Sequence, residues 1–177
     1  MNLPNALSLV RIFLIPVLVV FLIAVPRPYN LTAAAVFLAA VLTDWLDGRI
    51  ARRTRQVTTL GKLLDPVADK LLISASLISL VQVGRVQAWM VVLIVGRDIA
   101  VMGLRAIAAA QNVVIQASDF GKLTMTAEVI AVALLILNWP LAVVPLGQAV
   151  LAVAATLSLA SGVIYFCKFW RCVDLEK

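Results

Sequence analysis

Apolar residues in this chain come in long unbroken runs, separated by short polar or Pro-containing stretches. Six runs read as helices that cross a lipid phase: Ala6–Val25, Leu31–Ala51, Lys62–Val83, Ala88–Ala110, Gly121–Leu137 and Val143–Phe169. Each supplies close to the ~20 mostly apolar residues that a bilayer core demands. Between them stand "PRPYN", "RRTRQVTTLG", "QVGRVQ", "QNVVIQASDF" and "NWPLA". Connectors this short predict that neighbouring helices pack antiparallel in one bundle. Residues 1–177 therefore read as a single all-α, polytopic membrane domain of six transmembrane helices. The start at Met1 lacks the charged, apolar and small-residue succession of a cleaved signal peptide, so the first run is expected to be retained.

Composition strengthens that reading and charge orients it. Hydrophobic residues make up 63% of the 177 and charged residues 14%, more apolar surface than a soluble domain of this length needs. Of fifteen Lys and Arg, only Arg27 and Arg85 fall on the outer side when the N-terminus is cytoplasmic. The other thirteen sit at or near the inner ends, which makes the cytoplasmic face of a cell membrane the working face. The net charge of +6 follows from this bias and from attraction to anionic lipid, and requires no nucleic acid. Histidine is absent, so Ser–His and Cys–His chemistry is excluded and any general base must be a carboxylate, an amine or a tyrosine. Cys167 and Cys172 match neither a zinc pattern nor a redox C-x-x-C.

The chemistry concentrates in "TDWLDGRIARRTRQVTTLGKLLDPVADK", Thr43 to Lys70. Asp44 and Asp47 are i,i+3 near the inner end of the second run, on one helix face. Asp65 and Asp69 are i,i+4 near the inner start of the third, again on one face. The connector between them predicts that all four carboxylates converge at the cytoplasmic edge. Such a group must be compensated, or mutual repulsion protonates some of its members. Arg52, Arg53, Arg55, Lys62 and Lys70 offer charge nearby, and the alternative is a lattice of salt bridges with them. A hard divalent ion satisfies carboxylate oxygens better, and ionisable groups at membrane depth usually mark a site. Gly48 and Ala51 share the face of Asp44 and Asp47, and Gly61 lies one turn before Asp65. Their small side chains leave room for a flat group or for close helix packing.

These residues spell D-x-x-D-G-x-x-A-R-x8-G-x-x-x-D-x-x-x-D, with Asp44, Asp47, Gly48, Ala51, Arg52, Gly61, Asp65 and Asp69 in the fixed places. The pattern resembles the signature of the CDP-alcohol phosphotransferase family. That resemblance implies six transmembrane helices, a homodimer, a polar cavity open to the cytoplasm and two divalent ions, Mg²⁺ or Mn²⁺. It implies that Asp44, Asp47, Asp65 and Asp69 bind metal and that Asp69 is the general base. It also implies that Gly48, Ala51 and Gly61 line a cytidine site, with Arg52, Asp44 and Asp47 beside them. "NLPNALSLVRIFLIPVLV", "GRDIAVMGLRAIAA" and "GKLTMTAE" resemble the branch whose donor is CDP-diacylglycerol and whose acceptor is sn-glycerol 3-phosphate. Phosphatidylglycerol as acceptor is the alternative, since "GRD" and "GKLT" are shared with that branch.

An acceptor carrying a phosphate needs its own cationic seat. Arg97 and Arg105, i,i+8 and roughly 80° apart around a helix, form one with Lys122 at similar depth. Asp98 is placed to orient one arginine, and the alternative is that these charges pair with Asp98, Asp119 and Glu128. Arg11, on the first run at the depth of the acids, is expected at the donor phosphate, with Asn5 as its helper. Ala33, Ala34, Ala35, Ala39 and Ala40 offer either a groove for acyl chains or a packing surface. An ion transporter is the reading from another class, but it would hold its ionisable groups near mid-bilayer rather than at one edge.

Overall fold

The computed structural model describes the backbone of residues 3–24, 30–54, 59–111, 119–137 and 143–174. Within these, the side chains of 3–7, 45–54, 59–64, 119–120, 122, 143 and 172–174 lie outside the described residues. The elements are six helices: α1 Leu3–Ile23, α2 Leu31–Thr54, α3 Thr59–Gln82, α4 Ala88–Ala110, α5 Asp119–Leu137 and α6 Val143–Asp174. They follow the six apolar runs. α4 has the predicted bounds, and α6 runs past Phe169 to Asp174.

Local chemistry sets the helix ends. Asn30 caps α2 by accepting a hydrogen bond from the Ala33 N–H at 3.0 Å, which satisfies one of the free donors of the first turn. The same amide donates to the carbonyl of Phe21, so the cap also fastens α1 to α2. At the end of α3, Gly84 takes φ +73°, the left-handed conformation that costs glycine least. Gly84 N–H then bonds the Val81 carbonyl and Arg85 N–H the Leu80 carbonyl, a Schellman closure of the helix. The Arg85 guanidinium goes on to cap α5, donating to the carbonyls of Leu135 at 3.0 Å and Ile136 at 3.2 Å. Gln148 of α6 donates to the Arg85 carbonyl. One turn therefore ties α3, α4, α5 and α6 together at one end.

Packing is not a simple succession of neighbours. Among the described residues α1 packs against both α2 and α3, whereas α2 and α3 touch each other only sparingly. α6 packs against both α4 and α5. Two consecutive pairs, α2 with α3 and α4 with α5, thus have another helix as their main neighbour among the described residues, which loop length alone does not reveal. Leu18, Phe37, Leu77, Leu80, Ile94, Leu135 and Leu151 form the centre, with Ala33, Ala34 and Ala40 packed among them. Gly147 lets α6 approach α5, since a Cβ there would meet Leu135 Cγ at 2.9 Å.

The outside of the bundle is as oily as its inside. Phe13 is 74% exposed and Val92 68%, while Arg11 and Glu128 are wholly buried. An apolar belt over buried charges is the arrangement that a hydrocarbon solvent selects. Within the described residues one helix, Val144–Arg171, is long and apolar enough to cross a membrane. Ser8–Ile23, Leu31–Asp44 and Leu123–Leu137 are shorter apolar stretches.

Candidate active site

The acid-rich centre forms on α1. Ser8 and Arg11 are i,i+3 and leave the helix on one side, where α2 and α3 both approach. Arg11 Nη2 stands 3.1 Å from Asp44 Oδ1 of α2, and Arg11 Nη1 is 2.5 Å from Asp69 Oδ1 of α3. One turn earlier, Ser8 Oγ donates to Asp65 Oδ1 at 2.5 Å. Three of the four motif aspartates thus meet around one face of α1. Among the described residues it is the first helix that gathers them. Burying a guanidinium in a low-dielectric site costs several kcal/mol, about what two close carboxylates return. Three carboxylates against one guanidinium leave a formal charge of −2, counting each as ionised. The side chain of Asp47 lies outside the described residues, as do those of Gly48, Ala51, Arg52, Gly61 and Asn5. Among the described residues no three metal-ligating side chains are gathered tightly enough to hold an ion.

A second cluster lies on α3–α6. Arg97 and Arg105 of α4 line one cavity of about 200 Å³, together with Lys70 and Asp98. Asp98 is a bridge: one oxygen takes Arg97 Nη1 at 2.7 Å, the other Lys70 Nζ at 2.7 Å. Arg97 Nη2 donates to Ser161 Oγ of α6 at 2.6 Å. Gly162 makes this possible, because a Cβ there would meet Arg97 Cγ at 2.9 Å. Arg105 lies over the Tyr165 ring with its guanidinium carbon 5.5 Å from the centroid, a cation–π contact that fixes its lean. Behind Lys70, Glu128 of α5 is fully buried, its Oε2 3.9 Å from Lys70 Nζ. Neither carboxylate oxygen of Glu128 has a hydrogen-bond donor among the described residues. The side chain of Lys122 lies outside them, although its neighbour Gly121 lines the cavity.

The sequence-predicted arginines Arg97 and Arg105 therefore share a cavity, and Arg97 pairs with Asp98, a contact common to the orienting role and to its alternative. Arg11 meets the aspartates directly. One partner escaped the sequence, and Lys70, which by position offered its charge to the four aspartates, pairs with Asp98 and Glu128 instead. Ser8 was legible only as the residue one turn before Arg11. Lys70 sits beside Asp69 and, by the ~100° step of a helix, faces a different neighbour.

Comparison with known proteins places the chain in a family. The CDP-alcohol phosphatidyltransferase family profile matches residues 1–160, and the chain belongs to that family. It is similar to the CDP-diacylglycerol–glycerol-3-phosphate 3-phosphatidyltransferase of Bacillus subtilis, at 42% identity over 96% of both chains. The enzyme of the same name from Pseudomonas fluorescens is 36% identical over 96% of this chain and 91% of its own length. A CMP-forming cardiolipin synthase of Oryza sativa is 33% identical over 97% of this chain, which spans 58% of that protein.

Proposed function

We propose that this protein is an enzyme of phospholipid biosynthesis. It transfers the phosphatidyl group of CDP-diacylglycerol to sn-glycerol 3-phosphate, giving phosphatidylglycerophosphate and CMP. The similarity to the Bacillus subtilis transferase over 96% of both chains carries this reading. It is supported by a site in which an acid-rich centre and a cation-lined cavity share one helix, α3.

The acceptor hydroxyl forms a bond to the phosphorus that bears diacylglycerol, the bond to CMP breaks, and Asp69 takes the hydroxyl proton. An alkyl hydroxyl is a poor nucleophile at neutral pH, so a carboxylate beside it is required. Arg11 holds Asp69 in place through its ion pair, and Ser8 does the same for Asp65. Asp44, Asp47, Asp65 and Asp69 would hold two divalent ions, Mg²⁺ or Mn²⁺. The fit rests on donor chemistry: hard carboxylate oxygens with a formal excess of negative charge. The ions, when bound, neutralise charge that develops on the pyrophosphate oxygens. Gly48, Ala51, Arg52, Gly61 and Asn5 serve the cytidine end. Arg97, Arg105 and Lys122 bind the acceptor phosphate, since guanidinium forks hold phosphate in fixed geometry.

The whole chain forms one membrane domain of six spans, with the acids at the cytoplasmic face of the inner membrane, and it works as a homodimer. The similarity to a CMP-forming cardiolipin synthase is the ground for a second reading, in which phosphatidylglycerol is the acceptor. The test offers purified protein CDP-diacylglycerol with each acceptor in turn, plus Mg²⁺ or Mn²⁺, and measures CMP release. Release with glycerol 3-phosphate alone is expected. Release that depends on phosphatidylglycerol instead would transfer the assignment to cardiolipin formation.

A further inference from the structure

Lys70 has a place that the reaction outlined above leaves unused. It lines the same cavity as Arg97 and Arg105, and it follows Asp69 directly in α3. Two acids from two other helices surround its ammonium: Asp98 of α4 at 2.7 Å and Glu128 of α5 at 3.9 Å. A wholly buried carboxylate with no hydrogen-bond donor on either oxygen is costly to keep unless a charge close by requires it. Lys70 is the cation nearest to it among the ion pairs of the described residues.

We infer that Lys70 is a further acceptor-binding cation, and that Asp98 and Glu128 are positioning residues that hold its ammonium at the cavity wall. Three cations, Lys70, Arg97 and Arg105, line the cavity against one carboxylate on its wall, Asp98, with Glu128 behind it, a formal charge of +1 when each group is counted as ionised. Lys70 is half-buried and held by carboxylates, so its ammonium already stands at the cavity wall with part of its hydration shell replaced before a phosphate oxygen arrives. Asp98 touches both Lys70 and Arg97, so it fixes the spacing of two donors. Glu128, set behind Lys70, stops the ammonium from being drawn away when an anion competes with Asp98 for it.

The position of Lys70 also bears on the shape of the acceptor. The seat of its phosphate and the base that takes its hydroxyl proton are carried by adjacent residues of α3 whose side chains leave the helix about 100° apart. An acceptor that reaches both must present its anion and its reacting hydroxyl in different directions from one small body, as a phosphate monoester of a short polyol does. A phosphodiester lipid has a weaker charge and more bulk at the same point. This inference rests on the reading of Asp69 and of the acceptor given above.

The test compares Lys70→Gln, Lys70→Arg and Glu128→Gln with wild-type protein in detergent micelles. CMP release is followed with glycerol 3-phosphate varied at saturating CDP-diacylglycerol, and then the reverse. Lys70→Gln is expected to raise the KM for glycerol 3-phosphate at least tenfold and to leave the KM for CDP-diacylglycerol within twofold. Lys70→Arg restores most of that loss, and Glu128→Gln raises the same KM by a smaller factor. A Lys70→Gln variant that lowers kcat with an unchanged acceptor KM, or that raises the donor KM, overturns the assignment. A second measurement needs no turnover: calorimetric binding of inorganic phosphate to the protein without donor. Weakening of at least tenfold in Lys70→Gln supports the anion site even if another acceptor proves to be the substrate. Equal phosphate binding by the two proteins overturns it.

Discussion

The two charged clusters of this bundle are built from the same kinds of side chain in opposite proportions. Around Arg11, three aspartates share one guanidinium and a serine hydroxyl. Around Asp98, three basic residues line a cavity with two acids, one on its wall and one behind it. The first arrangement has negative charge to spare and suits cations. The second has positive charge to spare and suits an anion. α3 separates them by a single residue step, from Asp69 to Lys70. Unequal counting of charges, more than any single ion pair, distinguishes a place that binds from a place that merely holds helices together.

The comparison can be broken most forcefully at Asp69. Asp69→Asn keeps the shape and removes the proton acceptor, so CMP release should fall about 10²- to 10⁴-fold with substrate KM values little changed. A fall below tenfold would mean that another group takes the proton. Chelation is the next strongest intervention: EDTA should abolish CMP release, and Mg²⁺ or Mn²⁺ should restore it, while phosphate binding in the other cavity persists. Loss of both together would show that the two clusters are not independent.

Arg11→Met attacks the acid-rich centre through its stability. Removing the buried guanidinium leaves Asp44 and Asp69 facing each other, at a cost of about 3 kcal/mol or more. The melting temperature in micelles should drop, and added Mg²⁺ should recover part of it. A change without any response to the ion would argue that Arg11 serves only packing. Gly162→Ala sharpens the other side, since the new methyl must displace Arg97 Cγ from 2.9 Å. A cost of about 1 kcal/mol and a severalfold rise in acceptor KM are expected, with the donor KM unmoved. The smallest effect is reserved for Asn30→Ala, far from both clusters, where the lost cap should lower stability by about 1 kcal/mol and leave kinetics alone.

Much of this was readable from residue order, and the exceptions share a cause. The acid spacing on α2 and α3 places each pair on one helix face because i,i+3 and i,i+4 are properties of one helix at a time. Arg97 and Arg105 could be placed on related faces of α4 for the same reason. What could not be read is which helix lies opposite. α1 stands against both α2 and α3, and this alone turns Arg11 and Ser8 into partners of the acids. Likewise Glu128 looks like a stray charge in an oily helix until α5 is seen to bring it to Lys70. Arg85, an outer-face charge by sequence, proves to be the cap of α5.

That cap has a mechanical consequence. Arg85 and its turn bolt α3, α4, α5 and α6 at the end opposite Asp65 and Asp69, where Leu135, Ile136 and Gln148 are all fastened to one residue. Helices pinned at one extremity can spread only at the other, like the legs of a compass. Room between these four helices is therefore easier to open at the mouth than beside the pivot on the far side.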